Sequence, residues 1–377
     1  MKITEIRATG LRGATPEGGW SEELRPEDSV HTIVSVHTDE GVTGYGSVFT
    51  NVDLVRAALA MLEHLYVGEN ALEAERVAEK LRQHMFWFGR GGSVEHAISG
   101  VDTALWDILG KATGQPVGRL LGGRYREKVR PYASIIMREP AELAEMLTEL
   151  RRRKFAAFKI GWGPFGREGA KTDEAIVAAA RKAIGDDGFL MVDAGGSAAY
   201  WRQGYKWALR TARMLADYDV AWFEEPLEPD AIADYRELRL RAPVPISGGE
   251  VLTRRQGFEP WLTTGALDIV QPDVTKCGGV SELRRVAWMA QEHGVRLIPH
   301  GWNTAVGLAT DLQLASAFAD TDFVEYLIGS PYIDELVTDP WSLDDEGMLA
   351  IPAKPGLGIE LDAEAIAKYG DDERFLD

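Results

Sequence analysis

Seven polar residues stand at the ends of seven short apolar runs. They are Lys159 in FAAFKIG, Asp193 in FLMVDAGG, Glu224 in VAWFEEP, Glu250 in PVPISGGE, Asp273 in LDIVQPD, His300 in VRLIPHG and Glu325 in DFVEY. A strand buried on both faces has little structural use for a charge, so the recurrence asks for a chemical reason. Asp193, Glu224 and Glu250 are carboxylates on consecutive runs. Brought together, each pair would repel by roughly 4 kcal/mol at about 4 Å and an effective dielectric near 20. A cation relieves that repulsion. An all-oxygen set without Cys or His suits a hard ion, and Mg²⁺ fits best because three carboxylates leave octahedral positions for water and substrate oxygens. The alternative, that each carboxylate caps a helix or pairs with a cation, needs the same coincidence three times. Glu225, next in the chain, is expected to point away from the three.

The remaining four suggest proton transfer. Asp273 ends the run before His300, and a carboxylate on one imidazole nitrogen fixes the tautomer and raises the basicity of the other. Lys159 suits an anion clamp or a proton carrier. On opposite sides of one bound substrate, Lys159 and His300 would reach opposite faces of its α-carbon. Glu325, buried near substrate oxygen, could stay protonated and donate to a developing enolate; as an alternative it is a barrel-end ion pair.

Consecutive members of the set, from Lys159 through Asp193, Glu224, Glu250, Asp273 and His300 to Glu325, lie 34, 31, 26, 23, 27 and 25 residues apart. Each gap holds one amphipathic helical pattern, and that rhythm is one strand plus one helix per step. With a further strand near 129–135 and a helix over 141–153, the count reaches eight, which predicts an α/β barrel with its site at the C-terminal rim. Ahead of it, residues 1–50 alternate as three antiparallel strands, and 51–122 turn helical. The expected organisation is an N-terminal α+β domain over 1–125, a barrel over 126–328, and a C-terminal segment over 329–377 whose short strands pack back on the first domain. The long polar loop 11–29, with Trp20 in its middle, reads as a substrate-covering lid.

Composition narrows the partners. The 377 residues carry a net charge of −18, which disfavours nucleic acid and anionic membranes. One cysteine, Cys277, allows no internal disulfide and no cysteine metal cluster. The first residues lack the apolar core of a signal peptide and no run approaches a membrane span, so a cytoplasmic location is expected. Trp20, Trp162, Trp201, Trp302 and Arg202 are the candidates to line a small-molecule pocket.

The order of these residues resembles the enolase superfamily, mandelate racemase subgroup. The stretches ISGVDTALWDILGKATGQPVGRLLGG, WFEEPL, GGE and QPDVTKCGG carry the likeness, which spans essentially the whole chain. It implies a modified (β/α)7β TIM barrel under an N-terminal α+β capping domain, with the departure from eight regular units lying in one strand's orientation or helix. It also implies an essential Mg²⁺ on Asp193, Glu224 and Glu250, a His300–Asp273 dyad, Glu325 as electrophilic acid, and a homo-oligomer. The muconate-lactonizing subgroup, with Lys where this chain has Asp273, fits less well. Two positions depart from the pattern: Ala157 replaces the first lysine of a common Lys-x-Lys pair ending at Lys159, and Gly195 stands where Asn is common. The first removes a neighbouring cation that would lower the Lys159 pKa. The expected activity is therefore Mg²⁺-dependent removal of the proton α to a carboxylate, with dehydration of an acid sugar (aldonate or aldarate) to a 2-keto-3-deoxy acid. The alternatives are a racemase or epimerase of a 2-hydroxy or amino acid, and a non-catalytic protein retaining the fold.

Overall fold

The computed structural model describes residues 1–14, 30–195 and 204–376. Residues 15–29 of the expected lid, with Trp20, and the candidates Trp201 and Arg202 lie outside the described residues. The alternating N-terminal segments form strands β1 (Ile3–Leu11), β2 (His31–Thr38) and β3 (Thr43–Phe49), an antiparallel sheet in that order. Helices α1 (Val52–Tyr66), α2 (Ala74–His84) and α3 (Ser93–Thr113) follow, and α3 packs on β3. The Gly-x-Gly of β3 is what permits that contact. A Cβ at Gly44 or Gly46 would run into the carbonyl oxygen of Ala104 or Gly100 on α3, so the backbones can touch only with glycine there.

A short helix α4 (Val117–Leu120) leads into eight strands. They are β4 (Lys128–Ile136), β5 (Ala157–Gly161), β6 (Phe189–Asp193), β7 (Val220–Glu224), β8 (Ile246–Gly248), β9 (Ile269–Val270), β10 (Arg296–Leu297) and β11 (Phe323–Leu327). All pair in parallel, and β11 closes back on β4. The helices between them are α5 (Pro140–Arg152), α6 (Ala170–Ile184), α7 (Gly204–Ala216), α8 (Ile232–Arg241), α9 (Arg254–Thr263), α10 (Gly279–Glu292) and α11 (Ala305–Ala317). After β11 only one turn forms, α12 (Pro331–Asp334). The architecture is thus (β/α)7β, and the departure from the regular barrel is the missing last helix, not a reversed strand. No ladder joins β10 to β11 among the described residues; Thr321 Oγ1 donates to Leu297 O at 3.0 Å across that seam.

Alternation along the strands builds the interior in layers. Tyr132, Ala157, Met191, Trp222, Ile269 and Phe323, one from each of six strands, and Ile298 just past β10 form a buried plug. The residue two further along each strand is Ser134, Lys159, Asp193, Glu224, Gln271, His300 and Glu325. The polar ring therefore sits one pleat repeat above an apolar floor.

Polar contacts join the N-terminal layer to the barrel. On α3, Asp102 accepts from the backbone N and the hydroxyl of Ser281 at 2.9 and 2.5 Å, and so caps the start of α10. Trp106 Nε1 donates to the same hydroxyl at 2.9 Å, and buried Arg82 pairs with Glu95 at 2.7 Å. The chain end reaches the first sheet: Arg56 binds Asp371 at 2.6 Å and the Ala8 carbonyl, and Arg12 N donates to Tyr369 O. Of the expected C-terminal strands, β12 (Leu349–Ala350) forms against β4, while the GLGIEL stretch contributes two isolated bridges, Gly356 to Pro116 and Leu361 to Val337. The last helix is α13 (Ala363–Tyr369). No helix among the described residues is long and apolar enough to cross a membrane.

Candidate active site

The ends of β6 and β7 and the turn after β8 bring Asp193, Glu224 and Glu250 together, with one oxygen from each within 4.8 Å of the others. Asp193 and Glu224 are buried and Glu250 is half-buried. Their donor set is all oxygen, and the convergence of three carboxylates fits a divalent cation better than any arrangement of caps. Burial and the neighbouring Glu224 push the Asp193 carboxyl well above its ordinary range, against the pull of Lys159. Below the triad, Trp222 Nε1 and Gln271 Nε2 donate to Glu224 Oε2 at 2.9 and 2.7 Å. These two bonds hold the carboxylate plane and leave Oε1 facing the centre.

Glu225 stays close rather than turning fully away. It accepts from Gly249 N at 3.1 Å, and burial together with Glu250 raises its carboxyl to about 8. Its backbone φ is 41°, and Trp162, whose N donates to Asp193 O, has φ 62°. Two non-glycine residues in the left-handed region beside one carboxylate cluster are strain held at a functional rim. Gly195 follows the same logic: its N donates to Asp193 Oδ1 at 2.7 Å, and a Cβ there would lie 2.9 Å from that oxygen. The bond that fixes Asp193 thus leaves little room for the asparagine common at this position.

Lys159 lies among carboxylates. Its Nζ is 2.6 Å from Glu224 Oε1, 3.0 Å from Glu325 Oε1 and 3.5 Å from Asp193 Oδ2. Burial would lower its pKa, but Glu224 and Glu325 outweigh burial and hold the ammonium well above its ordinary range. Below it, at the position of the absent first lysine, Ala157 is part of the apolar floor.

The predicted dyad forms. His300 Nδ1 is 2.9 Å from Asp273 Oδ2, and Nε2 faces Glu250 at 3.0 Å and Glu325 at 4.0 Å. Asp273 Oδ1 accepts from the N and hydroxyl of Thr275, and Lys276 Nζ lies 3.6 Å from Oδ2. Burial would raise Asp273, yet Lys276 and His300 keep it well below the usual carboxylate range. Burial lowers His300, but Glu250, Glu325 and the Asp273 bond together lift it to about 9.

Glu325 sits between the two candidate proton carriers. It accepts from Tyr132 OH at 3.0 Å and Gly301 N at 2.8 Å. The sequence suggested a protonated acid here. Burial favours that form, but Lys159 and His300 reverse it and bring the carboxyl down to about 2. One further buried carboxyl, Asp311 on α11, has no hydrogen-bond partner on either oxygen among the described residues, and burial and Asp273 push it well above the usual carboxylate range. Of the predicted pocket residues that are described, Trp162 is half-buried at the end of β5. Trp302 is nearly buried two residues after His300, with its carbonyl accepting from His31 Nε2 at 3.1 Å. Tyr132, Trp222, Gln271 and Asp311 were not singled out from the sequence. Trp222 and Gln271 each precede a predicted site residue, Glu224 and Asp273, by two positions, a spacing that signals a shared face but not a role.

Residues 142–365 match the enolase C-terminal domain-like family, and residues 26–122 match the mandelate racemase / muconate lactonizing enzyme N-terminal domain. The chain belongs to the mandelate racemase/muconate lactonizing enzyme family. Within that family it is 33% identical to a D-galactarolactone cycloisomerase of Agrobacterium fabrum, over 98% of this chain and 99% of the relative. It is 30% identical to a D-xylonate dehydratase of Haloferax volcanii, over 98% and 89%. The crystal structure of a 3,6-anhydro-D-galactonate cycloisomerase from Zobellia galactanivorans superposes with a TM-score of 0.88 at 30% identity, covering 99% of this chain and all of that one. The mandelate racemase family thus supplies both hydro-lyases and isomerases as relatives.

Proposed function

We propose that this protein removes the proton α to the carboxylate of an acid sugar and expels the oxygen on the next carbon, most directly as a dehydratase giving a 2-keto-3-deoxy acid. A Mg²⁺ held by Asp193, Glu224 and Glu250 would supply the Lewis acidity that stabilises negative charge on the substrate carboxylate. In its neutral form, which Glu250 and Glu325 disfavour, His300 takes the C2 proton on Nε2 with Asp273 orienting the ring. As the C2–C3 double bond forms and the C3–O bond breaks, the same imidazolium returns its proton to the departing oxygen, so the base is restored within one turnover. The enol released then tautomerises to the keto acid. Lys159 holds negative charge beside the reacting carboxylate, and Glu325 spaces it from His300.

The observation that carries elimination over racemisation is the carboxylate surroundings of Lys159. Two-base exchange needs Lys159 neutral for one direction, and its three carboxylate neighbours and the alanine at 157 favour the ammonium. A second reading is cycloisomerisation, favoured by the two cycloisomerases among the near-full-length relatives. It uses the same steps, except that the departing oxygen belongs to a ring and stays in the product. Proton NMR in D₂O with Mg²⁺, over aldonic and aldaric acids and their lactones, tests both. New 2-keto-3-deoxy signals support dehydration, and ring opening without loss of water supports cycloisomerisation. Exchange of the α-proton alone would replace both with a racemase or epimerase. From the family resemblance we also infer a cytoplasmic homo-oligomer of capping domain (1–125), barrel (126–328) and returning C-terminal segment (329–377). A monomer by light scattering would overturn the assembly.

A further inference from the structure

Between the ends of β4 and β11 lies a cavity of about 290 Å³, walled by Ser134, Ile136, Met146, Trp302 and Leu327, with Arg138 among its lining residues. It adjoins the polar ring. Ser134 hydrogen-bonds to Glu325 and is paired in register with Lys159, and Trp302 follows His300 by two residues. Its walls are mostly apolar, and its volume is at the small end of ligand pockets. Arg138 is exposed and has no ion-pair partner among the described residues. The chain holds 59 acidic against 41 basic residues, and an arginine that lines this cavity without a carboxylate partner is available to an anionic ligand.

We propose that this cavity receives the end of the substrate remote from the reacting carbon, and that Arg138 pairs there with a second carboxylate. The preferred substrates are then dicarboxylic (aldaric) acid sugars rather than aldonic ones. The proposal rests on the acid-sugar function given above and names the substrate class within it. The planar fork of a guanidinium matches a carboxylate with two parallel hydrogen bonds. A terminal alcohol, the group an aldonic acid offers at the same position, would leave most of that fork to water. Apolar walls on both sides thin the solvent around the pair, which makes it worth more than an open surface contact.

The test compares diacid and monoacid pairs that differ only at the far carbon, galactarate with galactonate and glucarate with gluconate, on the Mg²⁺-loaded wild type, Arg138→Gln and Arg138→Lys. Wild type should turn over the diacid with the higher kcat/KM. Arg138→Gln should lose roughly 10- to 100-fold for the diacid, mainly through KM, with the monoacid unchanged. Arg138→Lys should fall between, because it keeps the charge without the fork. Equal losses for both acids, or an unchanged preference, overturn the assignment. Calorimetric binding of the same four acids gives a readout that does not need turnover. If no acid reacts but diacids bind wild type more tightly than Arg138→Gln, the reaction proposed above fails and the Arg138 subsite stands. If binding is indifferent to both the second carboxylate and the substitution, the subsite fails.

Discussion

His300 carries the proton in the proposed reaction, so His300→Asn should abolish both elimination and α-proton exchange, a loss of about 10²- to 10⁴-fold or more. Retained exchange by NMR would reduce the dyad to a structural contact. A quieter residue tests the floor beneath the ring. Trp222→Phe keeps the ring shape but removes the N–H that holds Glu224 Oε2. We expect Mg²⁺ affinity by calorimetry to fall about 10- to 100-fold, the usual cost of losing a partner behind a ligand, with the fold intact. An unchanged affinity would mean that Gln271 alone orients Glu224. The predicted rim residues were legible because charge at the end of an apolar strand is costly without a use. Trp222 and Tyr132 were not, because an aromatic residue inside a strand looks like any core side chain until its N–H or O–H is seen aimed at a carboxylate. The charge state of Glu325 was hidden for a related reason. It depends on Lys159 lying 3.0 Å away, a distance that no spacing in the chain reports.

At the scale of elements, the strand-and-helix rhythm specified the barrel well, since each gap between rim residues holds one helix. The end of the pattern was less legible. Only one turn follows β11, and nothing in the apolar spacing near residue 331 separates a truncated helix from a loop. The α3–α10 junction was equally silent, because Asp102 and Ser281 sit in ordinary helical patterns and meet only after both helices dock. Burial raises the Asp102 carboxyl to about 6, against the opposing pull of Arg82 and Ser281, where the unfolded chain titrates near 3.8. Ionisation therefore costs the folded state. The stability contributed by this group is greatest below pH 4, falls as the pH rises to about 6, and is flat above; the whole change is roughly 2 to 3 kcal/mol. In Asp102→Asn, urea unfolding should show that this fall between pH 4 and 6 has gone, leaving the background from groups such as Glu95 and Glu282. The same fall in the variant would place the titration elsewhere.

Taken whole, the molecule is strongly anionic, and an anionic substrate is drawn in only by local cations. Raising ionic strength should therefore weaken binding of the acid less than it would in a protein that steers its ligand by net charge. A steep fall in kcat/KM between low salt and about 0.2 M would show longer-range attraction than the rim cations explain.

Lys159 also decides the order in which the protein is assembled. With an ammonium among Glu224, Asp193 and Glu325, the carboxylates carry their own counter-charge as the barrel closes, and the chain does not wait for a divalent ion to fold. Chelation with EDTA should then lower the wild-type Tm only slightly. In Lys159→Met the buried carboxylates are left uncompensated, at a cost on the order of 3 to 5 kcal/mol, and folding becomes linked to the ion. That variant should melt well below wild type in EDTA and recover most of the difference on adding Mg²⁺. The lysine makes a folded apoprotein possible, and metal loading becomes a reversible step on a folded chain instead of a condition of the native state.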